Sequence, residues 1–172
     1  YFCKKVVNWE STFTANSSIK EYPWPEIRLA DLYLMYAEAL NEKGEDYATV
    51  LPWIDMVRER SGLQGVKESW DQYVGNSKYA TQTGLRQIIM QERRIELAFE
   101  GHYFWDVRRW KTATTELTQP LTGWKVRYGE TDVDYYSENL VLVRDFTPKM
   151  YFWPIDIGEL RKDPNLVQNY GW

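Results

Sequence analysis

Glu92-Arg93-Arg94-Ile95-Glu96-Leu97-Ala98-Phe99-Glu100-Gly101 is the stretch on which the reading of this chain turns. Extended back to Leu85, it carries Leu85, Ile88, Ile89, Glu92, Glu96 and Phe99 at three- and four-residue steps. That spacing predicts one helical face. Two carboxylates therefore continue an apolar stripe, and four arginines, Arg93, Arg94, Arg108 and Arg109, stand in the same two predicted helices. Carboxylates on an apolar stripe need charged partners. Glu92, Arg93, Glu96, Glu100, Asp106, Arg108 and Arg109 are accordingly read as an ion-pair network that locks a helical hairpin. Thr83 is the expected cap, Gly101 the stop, and a further helix is expected over about Tyr103 to Thr112.

Upstream, Ile27, Ala30, Leu34 and Ala37 predict a helix over about Glu26 to Lys43, with Pro25 at its entry and Gly44 as its left-handed stop. Val50, Ile54, Val57 and Ser61 predict its partner, ending near Ser61-Gly62. Pro52 removes a donor from that partner, so the helix is expected to start near Leu51 or to kink there. Helical hairpins at about 26–62 and 83–113 have the size of tetratricopeptide units, whose period is about 34 residues. Two such units are too few for a stable stack, so further packing has to come from outside them.

Downstream the period changes from helical to alternating. Trp124, Val126 and Tyr128 predict a short strand, Leu140 to Phe146 a second, and Gly129 to Asn139 a polar tip loop. Asp156 with Glu159 predicts one capped helical turn, closed by Asp163-Pro164. The expected fold is mainly α: tetratricopeptide-like helical hairpins with long loops, and a small β ribbon and tail over about 121–172.

Composition narrows the function. The chain has 172 residues, 27% charged and 44% hydrophobic, with a net charge of -4. No basic field exists to displace counterions from a phosphate backbone, so nucleic acid is not an expected partner. The one histidine, His102, and the one cysteine, Cys3, leave no His or Cys cluster for a metal and no Ser-His-Asp arrangement. No cofactor is expected. No apolar run reaches the roughly 20 residues of a membrane span, and the first residues do not read as a leader. Aromatic content, by contrast, is high at 16%, with nine tryptophans and thirteen tyrosines. Rings on loops are better ligand candidates than rings on helical stripes. Trp9, Trp24, Trp70 and Tyr73 are the candidate ligand-binding residues, with Trp124, Tyr128, Tyr135 and Tyr136 of the ribbon behind them. Packing against the scaffold is the alternative for each.

Four segments together resemble the SusD/RagB family. They are Pro25-Glu26-Ile27-Arg28-Leu29-Ala30-Asp31 running into Ala37-Glu38-Ala39-Leu40-Asn41; Val57-Arg58-Glu59-Arg60-Ser61-Gly62-Leu63; Glu92 to Gly101 through Asp106-Val107-Arg108-Arg109-Trp110; and Trp153-Pro154-Ile155-Asp156 through Pro164-Asn165-Leu166-Val167-Gln168-Asn169. Order and spacing match as well as composition. The resemblance implies that the chain, 1–172, is the C-terminal part of a longer protein, with an N-terminal half outside it. It implies a lipid-anchored receptor on the cell surface at the outer membrane. Such a receptor passes oligosaccharides to a TonB-dependent transporter of the SusC type. Cys3 does not resemble a lipoprotein cleavage site and is not assigned the lipid. A peptide-binding member of the family, or a tetratricopeptide-type interaction scaffold, is the alternative. A glycoside hydrolase built on two of Glu92, Glu96 and Glu100 is a third reading, since paired carboxylates at helical spacing could stand about 5–9 Å apart. The family's matching motifs are scaffold motifs and carry no ligand residue onto this sequence.

Overall fold

The computed structural model describes residues 5–12, 17–125 and 130–172. The chain divides into two compact units, Tyr1–Tyr103 and Phe104–Trp172.

The first unit is built on three helices. Helix α1 spans Leu29–Lys43 and buries Ala30, Leu34, Ala37 and Asn41. It begins three residues later than the stripe suggests. Arg28 is its N-cap and has extended backbone, so Ile27 lies outside the helix and is exposed. Gly44 ends it at φ 88°, where its N–H donates to the carbonyl of Asn41. A side chain there would be strained by the left-handed backbone, which only glycine adopts freely.

Helix α2 spans Tyr47–Arg60 and buries Val50, Leu51, Ile54 and Val57, while Ser61 is exposed beyond its end. It starts at Tyr47, ahead of the expected Leu51, and takes Pro52 into its second turn. Asp46 supplies the cap: its carboxylate accepts from the Ala48 N–H at 3.0 Å.

A short helix, α3 (Val66–Ser69), runs into a π-helical turn, Trp70–Val74, and a 3-10 turn, Lys78–Ala80. Helix α4 spans Gln82–Glu96. Its cap is Thr81, two residues before the expected Thr83, and accepts from the Gly84 N–H. Gly84 is required by close approach: a Cβ there would lie 2.1 Å from the carbonyl oxygen of Lys78. Leu85, Ile88, Ile89, Glu92 and Arg93 are buried. The helix stops before Phe99, which is 70% exposed, because the chain turns there through two left-handed residues, Phe99 at φ 67° and Gly101 at φ 81°.

Helices α1, α2 and α4 pack on one another. Their shared core holds Leu34, Val50, Ile54, Val57, Leu85 and Ile89. Trp53 stands against Tyr33 and Tyr36 at centroid distances of 5.8 and 4.7 Å, and Tyr47 against Tyr79 at 5.5 Å. Tyr33, Tyr47, Trp53 and Tyr79 belong to this core or pack on it, while Tyr36 stays exposed.

Helix α5, His102–Arg109, carries the division between the units and is shorter than expected; a separate turn, α6 (Ala113–Glu116), follows it. In the second unit β1 (Leu121–Trp124) pairs antiparallel with β2 (Glu138–Leu142), with an irregularity between Leu121 and Thr122. The expected tip loop instead holds a helical turn, α7 (Asp132–Tyr135), capped by Thr131. Val126 and Tyr128 lie outside the described residues. The second strand ends at Leu142, so Phe146 is not in it; Phe146 is buried and meets Tyr151 edge-on at 5.1 Å. The last element, α8 (Ile157–Lys162), is capped by Asp156, whose carboxylate accepts from the Gly158 N–H at 2.7 Å. The chain is thus mainly helical, with one small antiparallel ribbon.

Candidate functional site

The charged residues of the deciding stretch find their partners in other elements. Arg28, in extended backbone ahead of α1, donates from Nε to Glu100 Oε2 and from Nη2 to Glu100 Oε1 and Glu96 Oε1, each at 2.8 Å. This is a bidentate fork on one carboxylate and a single bond to a second. Arg60 reaches Glu96 at 2.9 Å, and Lys5 reaches Glu100 at 2.5 Å. Arg58 pairs with Glu92 at 2.9 Å and also donates to the carbonyl of Gln64. Arg93 pairs with Asp31 at 2.8 Å.

Sequence reasoning placed the cations of Glu92, Glu96 and Glu100 on their own hairpin. The structure draws them from Lys5, Arg28, Arg58 and Arg60, because α4 packs against α1 and α2 and their charged rims meet there. Helical spacing alone does not single out Arg28 and Asp31 as partners of this stretch. Their signal was present in the order arginine-apolar-apolar-aspartate at Arg28 to Asp31.

In the second unit Asp106 accepts from Arg109 at 2.8 Å. Among the described residues, Arg108 bonds to backbone carbonyls rather than to a carboxylate. It donates to the carbonyls of Met150 and Tyr151 at 2.5 and 2.6 Å. The Phe104 and Trp153 rings lie 5.1 and 5.5 Å from its guanidinium. A planar cation with five donors satisfies both carbonyls and rings at once, a geometry that sequence spacing does not reveal.

Burial disfavours the ionised form of Glu100, but the bonds from Arg28 and Lys5 outweigh it and hold its carboxyl below the usual range. The sign follows from linkage. A depressed folded value stabilises the fold above the unfolded carboxylate range, and that stability is lost as pH falls through the folded value. Asp55 runs the other way. Burial raises its carboxyl, against a hydrogen bond from the Val66 N–H, so its contribution fades as pH rises through the folded value. Glu100→Gln is therefore expected to cost most near neutrality and progressively less towards about pH 3. Denaturant titrations of both proteins across that range measure it; a constant difference would mean that Glu100 keeps an ordinary value.

The candidate ring residues fall in two places. Trp9 and Trp24 lie on the segment before α1, which folds back on itself through an antiparallel bridge between Thr12 and Ser18. Trp9 is 87% exposed and Trp24 51%. Trp9 lines an open cleft of about 520 Å3 with Val7, Asn8, Ile19 and Lys20. Trp24 lines a smaller one of about 170 Å3 with Pro25, Lys5, Arg28 and Glu100. Val6 and Tyr22 line both, so the two clefts adjoin. Arg28 and Glu100 belong to the lining of that cleft, so their ion pair ties it to the turn that follows α4.

Trp70 and Tyr73 lie elsewhere, on the π-helical turn after α3. Trp70 is half-buried and packs against the helical core, with Lys78 Nζ 5.6 Å from its ring. Tyr73 is 72% exposed. The structure thus sets Trp9 and Trp24 on adjoining clefts and Trp70 and Tyr73 on a different element.

The first unit thus joins a helical scaffold, in which Glu92, Glu96 and Glu100 are paired with cations, to two exposed tryptophans on adjoining clefts. The chain belongs to the SusD family, which it matches over residues 1–172. SusD-like protein P25 of Formosa agariphila is 40% identical over 142 residues, covering 83% of this chain and 23% of that protein. The fold is similar to a SusD-like protein of Bacteroides fragilis, at 28% identity and TM-score 0.68, covering 90% of this chain and 28% of the other. It is also similar to a SusD-like carbohydrate-binding protein of the same organism, at 31% identity and TM-score 0.65, covering 83% and 28%. The chain spans about a quarter of the length of these relatives.

Proposed function

We propose that this chain is the C-terminal part of a cell-surface glycan receptor. It holds oligosaccharides for a TonB-dependent transporter of the SusC type, and it is lipid-anchored at the outer membrane through a region outside the chain. The observation that carries the reading is the pair of exposed tryptophans, Trp9 and Trp24, on adjoining clefts of a SusD-family scaffold. Sugar rings present C–H faces that stack on indole, and their hydroxyls take the surrounding polar groups. A solved relative described as carbohydrate-binding supports the same class.

The carboxylates are structural in this reading. Glu92, Glu96 and Glu100 each accept from arginine, and Glu100 is held below the usual range, the wrong direction for a general acid. No sugar release is expected from polysaccharide. Capture for onward transfer suits weak binding, in the micromolar to millimolar range or roughly -8 to -4 kcal/mol. Trp9→Ala and Trp24→Ala are each expected to weaken binding by about 1–3 kcal/mol, the scale of ring stacking on a planar ligand. Thermal stability should hardly move for Trp9, which is almost fully exposed. Calorimetry with the preferred glycan tests it. Unaltered affinity in both variants would put the ligand platform outside this segment.

A further inference from the structure

We infer that the Trp9–Trp24 cleft selects uncharged oligosaccharides over sulfated or uronate chains. The inference rests on the glycan reading above and narrows its substrate class.

An anionic sugar needs cations that are free to leave their present partners. Three described cations line the two clefts: Lys5, Lys20 and Arg28. Each is already paired with a carboxylate. Lys5 is bound to Glu100 at 2.5 Å, Arg28 to Glu96 and Glu100 at 2.8 Å, and Lys20 to Glu10. Three cations thus face three carboxylates. Glu21 and Glu26, both exposed, add further negative charge to the same segment.

A sulfate or carboxylate entering the clefts would have to break one of these pairs. At Arg28 it would also leave Glu100 without its fork and Glu96 without one bond, both carboxylates being about nine-tenths buried, a cost that binding would have to overcome. Arriving beside Glu10 and Glu21, it would also meet like charge. The remaining lining is Val6, Val7, Ile19, Tyr22, Pro25 and the two indoles, with Asn8 and Ser11 as neutral polar groups. It suits a ligand that offers C–H faces and neutral hydroxyls.

The test uses the full-length protein and six probes by calorimetry: maltohexaose, cellohexaose, xylohexaose, mannohexaose, an oligogalacturonate and a sulfated carrageenan oligosaccharide. A neutral probe should bind best, with an affinity that changes less than about twofold between low and high salt, since no exposed charge pair is made. Glu10→Gln, which releases Lys20, should raise affinity for the sulfated probe by about fivefold, the scale of one exposed ion pair. An anionic probe that binds best and is lost in high salt would overturn the inference and leave the glycan reading standing. Glu10→Gln without any gain would likewise overturn the charge-pairing argument. Absence of binding by all six would overturn both.

Discussion

Arg28→Ala is expected to lower the unfolding free energy by about 3 kcal/mol. The direction follows from what is left behind. The Glu100 and Glu96 side chains are 8% and 11% exposed, and Arg28 supplies the fork to one and a bond to the other. Removing the cation leaves two largely buried carboxylates to weaker partners. Breaking a buried pair from one side costs about 3–5 kcal/mol, against 0–1 for a solvated pair. The lower end applies because Arg60 still reaches Glu96 and Lys5 still reaches Glu100. Arg28→Lys should recover only part of the loss, since an ammonium cannot reproduce the bidentate fork. Denaturant titration of the full-length protein reads it as a lower midpoint at unchanged slope. A loss under about 0.5 kcal/mol would mean the carboxylates are solvated.

Leu34→Ala is expected to cost about 3–4 kcal/mol. Leu34 is fully buried on α1, in the core that α1 shares with α2 and α4. Truncation removes the transfer energy of the lost methyl groups and leaves a cavity, and three helices meeting at the site limit its collapse. Leu34→Met, nearly equal in volume, should cost under about 1.5 kcal/mol. Equal losses in the two variants would point to shape rather than cavity as the cause. The same titration distinguishes them.

How much of this was legible in the sequence depends on the range of the interaction that sets each feature. The seams of α1, α2 and α4 were readable because period alone chooses the buried residues: Ala30, Leu34, Ala37, Val50, Ile54, Leu85 and Ile89 are all buried. Helix ends were less readable. Asp46 and Thr81 cap where the stripe suggested Leu51 and Thr83, since a cap is a local hydrogen bond that apolar spacing does not encode. The turn at Phe99 escaped for a related reason: a non-glycine left-handed residue leaves no compositional mark. Around the candidate site the charged residues were recognisable, but their partners were not. Arg28 and Glu100 meet only after α1 and α4 have packed. Trp9 and Trp24 were legible as loop rings, whereas their joining through Val6 and Tyr22 is a product of the folded segment.

The charged lock also orders events in time. Arg28 lies 68 residues from Glu96 and 72 from Glu100, and Lys5 lies 91 from the Glu96 carbonyl it contacts. The α1–α2 hairpin, by contrast, closes through the short turn between Lys43 and Tyr47. Local closures carry a small entropic cost and come early; closing a long loop costs more and comes late. The lock is therefore expected on the native side of the folding barrier, where a contact slows unfolding and hardly alters the rate of folding. Its expected effect is on residence in the folded state: loss of the Arg28 fork should shorten the time α4 stays against α1, and with it that of the ring-bearing segment tied there by Lys5, which stopped-flow unfolding of Arg28→Ala would read.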